Sequence, residues 1–396
     1  AVFALIPVKA SIHTMDNTGR PKASMRFTCI SMLSLVSLIW ILSQCNSKPV
    51  DTPLESTIDS TSTLVLNPSQ LLGKKLFFDT TLSNPPGQSC AKCHMPNKGF
   101  SDPEKLAVSR GAVKSVFGTR NAPTVTYAAF TPFYHYDSTD QAYIGGLFMD
   151  GRANTLSEQA MNPLLTHHEM NNADKKMVVD QVRKSDYRNL FIHVFGPSAF
   201  DDPEIAFSNI ALALEEYEET AEVSPFTSKF DYYLKGKVQL SAQEKRGLEI
   251  FNGTLKAKCA ACHPSTPDPL TNAVLFTDYT YDNLGLPANP TLIGLNKDYK
   301  PDLGLGAIVK KSSENGKFKV PTLRNVAITA PYFHNGVFQT LEEVMQFYNE
   351  RDSGRFGPPE VAENVNHDEL GDLKLTEQEM ADVIAFMKTL TDGYIP

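Results

Sequence analysis

Two copies of the pattern Cys-x-x-Cys-His, at residues 90–94 and 259–263, constrain this chain more than any other feature. The spacing suits covalent attachment of a c-type haem, because two thiols add to the vinyl groups of one porphyrin and the adjacent histidine supplies an axial nitrogen to the iron. The residues with this chemistry are Cys90, Cys93, His94, Cys259, Cys262 and His263. The sequence therefore predicts two covalently bound haems.

Three other roles for paired cysteines fit less well. A redox Cys-x-x-Cys pair does not require the histidine, and a zinc site would make the two following histidines a coincidence. A disulfide would close a loop of only two residues. The chain has six cysteines, and the two outside the motifs, Cys29 and Cys45, lie near the N-terminus. The repeated histidine therefore favours haem.

Residues 1–65 are predicted to contain three parts: residues upstream of the signal, an export signal and a flexible tether. Its apolar run, residues 30–42, has the length of a signal-peptide core and is short for a membrane span. Cys45 follows, and a tether rich in Ser and Thr comes next. This order resembles a bacterial lipoprotein signal with a lipid anchor at Cys45, although Gln44 departs from the small residue expected there. An ordinary cleaved signal is the alternative, and both place the mature protein in the periplasm or cell envelope.

Charge narrows the range of partners. The 396 residues carry a formal net charge of −8 and no dense block of Lys and Arg, which argues against a nucleic-acid partner. A partner steered by electrostatics would instead be basic at its docking face.

Repeated local patterns predict two cytochrome c-like domains, residues 66–238 and 239–396, in a mostly α fold with one haem each. A Gly-x-x-Leu/Ile-Phe pattern precedes both haem motifs, at residues 73–77 and 247–251. Natural N-caps precede these stretches, and a capping box starts a helical apolar pattern at residues 376–390. In the segment rich in Gly and Pro at residues 283–321 we expect a short hairpin.

Several further motifs accompany the haem motifs: GFSD, RNAPT, DGRANTLSEQAMNPL, HHEM, VPTLRN and TAPYFHNG, between residues 99 and 336. With them, residues 66–390 resemble the bacterial dihaem cytochrome c peroxidase and MauG family. The resemblance implies that hydrogen peroxide reacts at the first haem and that electrons enter through the second.

Thr155 and Glu158 form a capping box, which predicts that a helix starts just before Gln159. The resemblance also assigns residues to the peroxide site. Gln159 and Glu169 match the family's distal glutamine and acid–base glutamate. Classical members carry a blocking histidine in the loop after GFSD, whereas residues 103–121 contain none. We therefore expect a five-coordinate iron on His94, with His135 as the alternative sixth ligand.

Two further expectations come from the same resemblance. A Ca²⁺ ion between the domains would be bound by Asn121, Thr329 and Pro331, as oxygen ligands suit a hard cation. Met149 stands where the family usually has a tryptophan between the haems, and the only tryptophan of the chain is Trp40. Haem-to-haem transfer would therefore need direct tunnelling, or help from a Tyr or Phe nearby, in place of hopping through tryptophan.

The sixth ligand of the second haem distinguishes two branches of the family. Met345 and Tyr348 share one face of a predicted helix that begins at the capping box of Thr340. The peroxidases' methionine ligand corresponds to the position fourteen residues after His334, which is Tyr348 here, as in MauG-type enzymes. We expect Tyr348 to bind the iron, with Met345 as the alternative. An anionic phenolate stabilises the oxidised iron, whereas a thioether raises its potential.

The sequence thus predicts an exported dihaem peroxidase whose second haem relays electrons or stores oxidising equivalents, as in MauG. One alternative is a housekeeping peroxidase that takes electrons from a small cytochrome c or cupredoxin. Another is an electron-transfer cytochrome without enzymatic activity. The sequence is compatible with a protein substrate in place of a small redox donor, and with a homodimer.

Overall fold

The computed structural model describes residues 65–296 and 298–396, and this part of the chain is mostly helical. The helices are α1 Pro68–Phe78, α2 Cys90–Cys93, α3 Leu156–Leu165, α4 Lys175–Lys184, α5 Arg188–Phe195, α6 Pro203–Glu218, α7 Lys229–Leu234, α8 Ala242–Phe251, α9 Pro290–Leu295, α10 Leu305–Val309, α11 Leu341–Glu350 and α12 Glu377–Lys388. The predictions for the export signal, for Cys45 and for Trp40 lie outside the described residues.

Helices α1 and α6 cross at the centre of the first half of the described chain. Asn67 and Gln70 form a capping box that starts α1, and Asp202 caps α6 through its side chain. Gly73 lies at the crossing, where its missing side chain lets α1 approach the carbonyl group of Ala213. An apolar core of residues between 72 and 223 surrounds this contact.

The second half repeats this arrangement with α8 and α12. Capping boxes at Ser241 and Thr376 start the two helices, as predicted. Gly247 lies against the carbonyl group of Asp382, in the position that Gly73 has in the first half. The apolar core here draws its residues from between 230 and 390. A domain boundary after residue 238 remains a prediction.

A buried ion pair joins α7 to the loop that contains Arg324. Arg324 is 1% exposed and donates to both carboxylate oxygens of Asp231, at 2.8 and 3.0 Å. Its guanidinium also lies 4.6 Å from the ring centre of Tyr127. Tyr127 in turn packs with Leu275 and Tyr279, so that residues from both halves share this cluster.

Two small antiparallel strand pairs complete the fold. Strands β1 His135–Asp137 and β2 Ala142–Ile144 form one pair, and β3 Tyr281–Asp282 and β4 Phe318–Lys319 form the other. The second pair is not the short hairpin expected within residues 283–321, because β3 precedes that segment and a long connection that holds α9 and α10 joins it to β4. No helix in the described ranges is long and apolar enough to cross a membrane.

Candidate active site

The structure gathers the predicted site residues around one cavity of about 850 Å³. They come from distant parts of the chain and line it together: Cys90, Cys93, His94, Asn121, Gln159, Glu169, Cys259, Cys262, His263, Thr329, Pro331, Met345 and Tyr348. Helices from both halves and the loops between them form its walls. A cavity of this size that both Cys-x-x-Cys-His motifs line is suited to large planar groups.

The first motif presents a neutral imidazole and two thiols. Burial lowers the pKa of His94, and its Nδ1 lies 3.3 Å from the carbonyl oxygen of Phe100. A histidine held through Nδ1 keeps Nε2 free for a metal. Cys90 and Cys93 are not joined in a disulfide, and burial raises the pKa of the Cys93 thiol to about 12.

The second motif has the same arrangement. The Nδ1 of His263 lies 2.8 Å from the carbonyl oxygen of Phe276, and burial lowers the pKa of His263 to about 4. Cys259 and Cys262 also carry free thiols. In both motifs the chain offers two thiols for attachment and one oriented imidazole, so the residues fit two haems.

Tyr348 lies near the second motif. It lines the cavity together with Cys259 and Cys262, and burial raises the pKa of its phenol well above the usual value. Met345, one turn earlier on α11, is 3% exposed and packs in the apolar core of the second half. Both side chains reach the cavity wall.

Gln159 and Glu169 lie on the side of the first motif. Gln159 is in the first turns of α3, and the carbonyl oxygen of Glu169 accepts a hydrogen bond from the backbone of Ala112 at 2.7 Å. Burial raises the pKa of the Glu169 carboxyl, while the charge of Arg152 opposes that shift. Such a carboxyl can hold a proton in the range where an ordinary glutamate is ionised.

One local detail differs from the expected capping box. Thr155 caps α3 by accepting from the backbone of Glu158, as predicted. The Glu158 carboxylate does not return a bond to Thr155 but accepts from the backbone of Asn154 at 2.7 Å. The helix start is therefore as predicted, with one of its two reciprocal bonds shifted by one residue.

The histidines outside the two motifs separate into two groups. His135 is exposed on β1, with Nδ1 2.8 Å from the carbonyl oxygen of Phe133, and it does not line the cavity. His334 and His168 do line it, and His168, beside Glu169, had no predicted role. Its place in the HHEM motif was the available signal.

Three charged residues of the wall were also not anticipated. The half-buried side chain of Lys319 donates to the carbonyl oxygen of Gly146, and desolvation lowers its pKa to about 7. Its backbone donates to the carbonyl oxygen of Met149 at 2.8 Å. Arg120 and Arg152 both pair with Asp150, at 2.6 and 2.7 Å. Arg120 and Arg152 lie 32 residues apart in the sequence, so only the fold shows that they share the carboxylate of Asp150.

The expected calcium ligands lie on the same wall. The amide nitrogen of Asn121 lies 3.4 and 3.2 Å from the carbonyl oxygens of Leu106 and Ala107, so its side-chain oxygen is the end available to a cation. Among the described residues no group of three His, Cys, Asp or Glu side chains could hold a metal. A site made from one amide and two backbone carbonyls is not of that kind, so this finding does not bear on it.

Known proteins share this architecture. The model of the di-haem cytochrome c peroxidase family matches residues 68–239. The methylamine utilization protein MauG of Paracoccus denitrificans is 40% identical over 344 residues, covering 81% of this chain and 88% of that protein. The cytochrome c551 peroxidase of Pseudomonas aeruginosa is 35% identical, covering 74% and 75%. The crystal structure of the dihaem peroxidase BthA from Burkholderia thailandensis has a TM-score of 0.74 at 33% identity, covering 84% and 88%.

The fold and the paired haem motifs define a dihaem enzyme of the peroxidase type. The chain belongs to the di-haem cytochrome c peroxidase and MauG family, as its sequence predicted. It is therefore a dihaem peroxidase.

Proposed function

We propose that this peroxidase is of the MauG-like type, with its second haem iron bound by His263 and Tyr348. The observation that carries the proposal is the position of Tyr348, in the wall of the cavity that Cys259, Cys262 and His263 also line. The similarity to MauG of Paracoccus denitrificans supports it. Met345 would fill an apolar core position instead.

Both haems would be attached covalently, through Cys90 and Cys93 and through Cys259 and Cys262. When bound, they supply the redox centres that the reaction needs. The carbonyl groups of Phe100 and Phe276 hold Nδ1 of His94 and of His263, which leaves Nε2 of each imidazole free and would allow it to bind a haem iron.

Glu169 and Gln159 would bind the peroxide and assist its cleavage. A carboxyl whose pKa burial raises can accept the proton of one peroxide oxygen and return it to the other, which assists cleavage of the bond between them. The amide of Gln159 can donate a hydrogen bond that holds the peroxide in place. We propose that an iron bound by His94 would have no protein ligand on its opposite side, where peroxide would bind, because residues 103–121 carry no histidine.

Three further parts of the proposal extend the resemblance. Asn121, Thr329 and Pro331 would hold a Ca²⁺ ion. The protein would be exported to the periplasm or the cell envelope, with or without a lipid at Cys45. Its electrons would come from a small cytochrome c, a cupredoxin or a protein substrate.

Electron paramagnetic resonance of the ferric holoprotein, with and without peroxide, tests the ligand assignment. We expect one high-spin haem, on His94, and one low-spin haem, and an absorption spectrum of the same ferric sample without the weak far-red band of a methionine ligand. Two low-spin haems would favour an electron-transfer cytochrome. A methionine band would favour the housekeeping peroxidase, which Met345 in the same cavity and the similarity to the cytochrome c551 peroxidase keep as the second candidate.

A matched pair of variants tests the acid–base role. Glu169→Gln removes the carboxyl and should lower the rate of peroxide reduction by about 10²–10⁴-fold. Glu158→Gln changes an exposed carboxylate on α3 and should leave that rate within a few-fold. Equal rates for the two variants would contradict the role of Glu169.

A further inference from the structure

Four tyrosines form a continuous row from the wall of the cavity to the surface. Tyr281 is 9% exposed and packs edge-on against Tyr134, with ring centres 6.4 Å apart. Tyr134 stacks on Tyr143 at 5.6 Å and 7°, and Tyr143 meets Tyr136 at 4.9 Å. Tyr136 is 50% exposed. The row therefore has one buried end and one solvent end.

The buried end lies directly behind the cavity. Tyr281 pairs with Lys319 across β3 and β4 and is followed by Asp282, and both of these neighbours line the cavity. The backbone of Lys319 bonds to Met149, which also lines it. Met149 stands where the family usually has a tryptophan, and the row of tyrosines begins behind this same part of the wall.

Local structure fixes the rings in this row. Tyr136 and Tyr143 are direct partners in the antiparallel pair of β1 and β2. Tyr134 and Tyr281 approach each other beside Gly151, where a side chain would collide with Tyr134 Cδ2 at 2.8 Å. The hydroxyl of Tyr281 donates to the carbonyl oxygen of Gly145 at 2.5 Å.

The hydroxyl groups differ along the row in a way that matters for oxidation. The Tyr134 hydroxyl is buried without a hydrogen-bond partner, and that of Tyr281 faces only a carbonyl. Neither has a base to take its proton, so an oxidised ring there cannot settle as a neutral radical. Tyr136 is open to water, which can take the proton. A hole would pass through the inner rings and come to rest at the outer ones.

Lys311 modifies the outer pair. Its ammonium lies 2.8 Å from the Tyr143 hydroxyl, 5.3 Å from the centre of that ring and 5.7 Å from the centre of the Tyr136 ring. A cation held over a ring stabilises its electron-rich, reduced form. A radical on the outer pair is therefore a stronger oxidant than one on free tyrosine. Loss of the proton to water at Tyr136 lets the hole stay there, and the raised potential favours its rapid reduction once a reductant is present.

We propose that Tyr281, Tyr134, Tyr143 and Tyr136 form a one-electron path between the cavity wall and the surface. The oxidant is peroxide, which takes two electrons and two protons to give two waters. For each electron that moves inward, Tyr136 loses its phenolic proton to water and becomes a neutral radical. A one-electron reductant at the surface then returns an electron, and a proton from water restores the phenol.

The sharpest test is Tyr134→Phe in the full-length holoprotein. The change removes an unpartnered hydroxyl, so no hydrogen bond is lost and the melting temperature should stay the same or rise. A phenylalanine ring is much harder to oxidise, so the row is broken. Tyr232→Phe is the control, because Tyr232 also lies under two lysines, at 5.7 and 6.0 Å, and beside Tyr394, but outside the row.

The measurement is freeze-quenched electron paramagnetic resonance after peroxide is added without a reductant. We expect a radical signal whose hyperfine pattern collapses when the protein contains ring-deuterated tyrosine. Tyr134→Phe should lower its yield several-fold, and Tyr232→Phe should not. An unchanged yield in Tyr134→Phe, or no tyrosyl signal in the parent protein, would overturn the path.

The path rests on the reaction with peroxide, and the two can fail separately. A peroxide-dependent change in the haem absorption spectrum reports that reaction by itself. If this change occurs but the tyrosyl signal does not depend on Tyr134, the path is wrong and the peroxidase function stands. If the spectrum does not respond to peroxide, both are wrong.

Discussion

The two helix crossings allow a quantitative test of how this fold is held together. An alanine side chain at residue 73 would overlap the carbonyl group of Ala213, with Tyr217 Cβ at 2.8 Å. At residue 247 it would overlap the carbonyl group of Asp382, with Phe386 Cβ at 2.9 Å. Since backbone cannot rotate away as a side chain can, each substitution must push two helices apart.

The magnitude follows from two opposing effects. Overpacking of a well-packed core costs about 1–3 kcal/mol, and backbone overlap places these sites at the upper end. Replacing glycine by alanine inside a helix returns about 0.5–1 kcal/mol. Gly73→Ala and Gly247→Ala should each lower the free energy of unfolding by about 2 kcal/mol.

Gly294→Ala is the matched control. Gly294 lies in α9 with no atom near the position of an added Cβ, so only the favourable helix effect remains. This variant should gain about 0.5–1 kcal/mol. Urea unfolding of the holoproteins, followed by far-ultraviolet circular dichroism, measures all three. If Gly73→Ala were as stable as Gly294→Ala, the close crossing of α1 and α6 would be refuted.

Other substitutions test single residues. Burial, with a smaller effect of Glu215, raises the pKa of Glu218 from 4.5 to about 8, so the folded state binds the extra proton and stability falls as pH rises through this range. Glu218→Gln should remove that loss and gain on the order of 4 kcal/mol at pH 8 but little at pH 4, measured by urea unfolding at both. Asp231→Asn leaves the buried guanidinium of Arg324 with a neutral partner and should cost about 3–5 kcal/mol, whereas an unchanged melting curve would contradict the role of the pair. Tyr348→Met should raise the potential of the second haem in a redox titration, and an unchanged potential would exclude Tyr348 as its ligand.

Local chemistry in the sequence predicted much of this protein. The Cys-x-x-Cys-His motifs carry their own spacing rule, and the capping boxes at Ser241, Thr340 and Thr376 form as the residue types predict. Each of these signals depends on residues a few positions apart, so the backbone alone brings the partners together. The family followed from the motifs for the same reason.

Contacts between segments that are distant in the sequence could not be predicted from such local signals. Nothing near Lys319 or Arg152 in the sequence shows that one donates to the carbonyl oxygen of Gly146 or that the other shares Asp150 with Arg120. His135 was retained as a ligand candidate because exposure cannot be read from neighbouring residues. Its place on β1, away from the cavity, is a product of tertiary packing.

The sequence by itself determined that this chain carries two haem motifs, that its helices start where they do, and that it is a dihaem peroxidase. Only the tertiary structure decided that Tyr281, Tyr134, Tyr143 and Tyr136 form one row. The physical reason is that attachment chemistry is local along the chain, whereas an electron path depends on distances between rings that folding brings together.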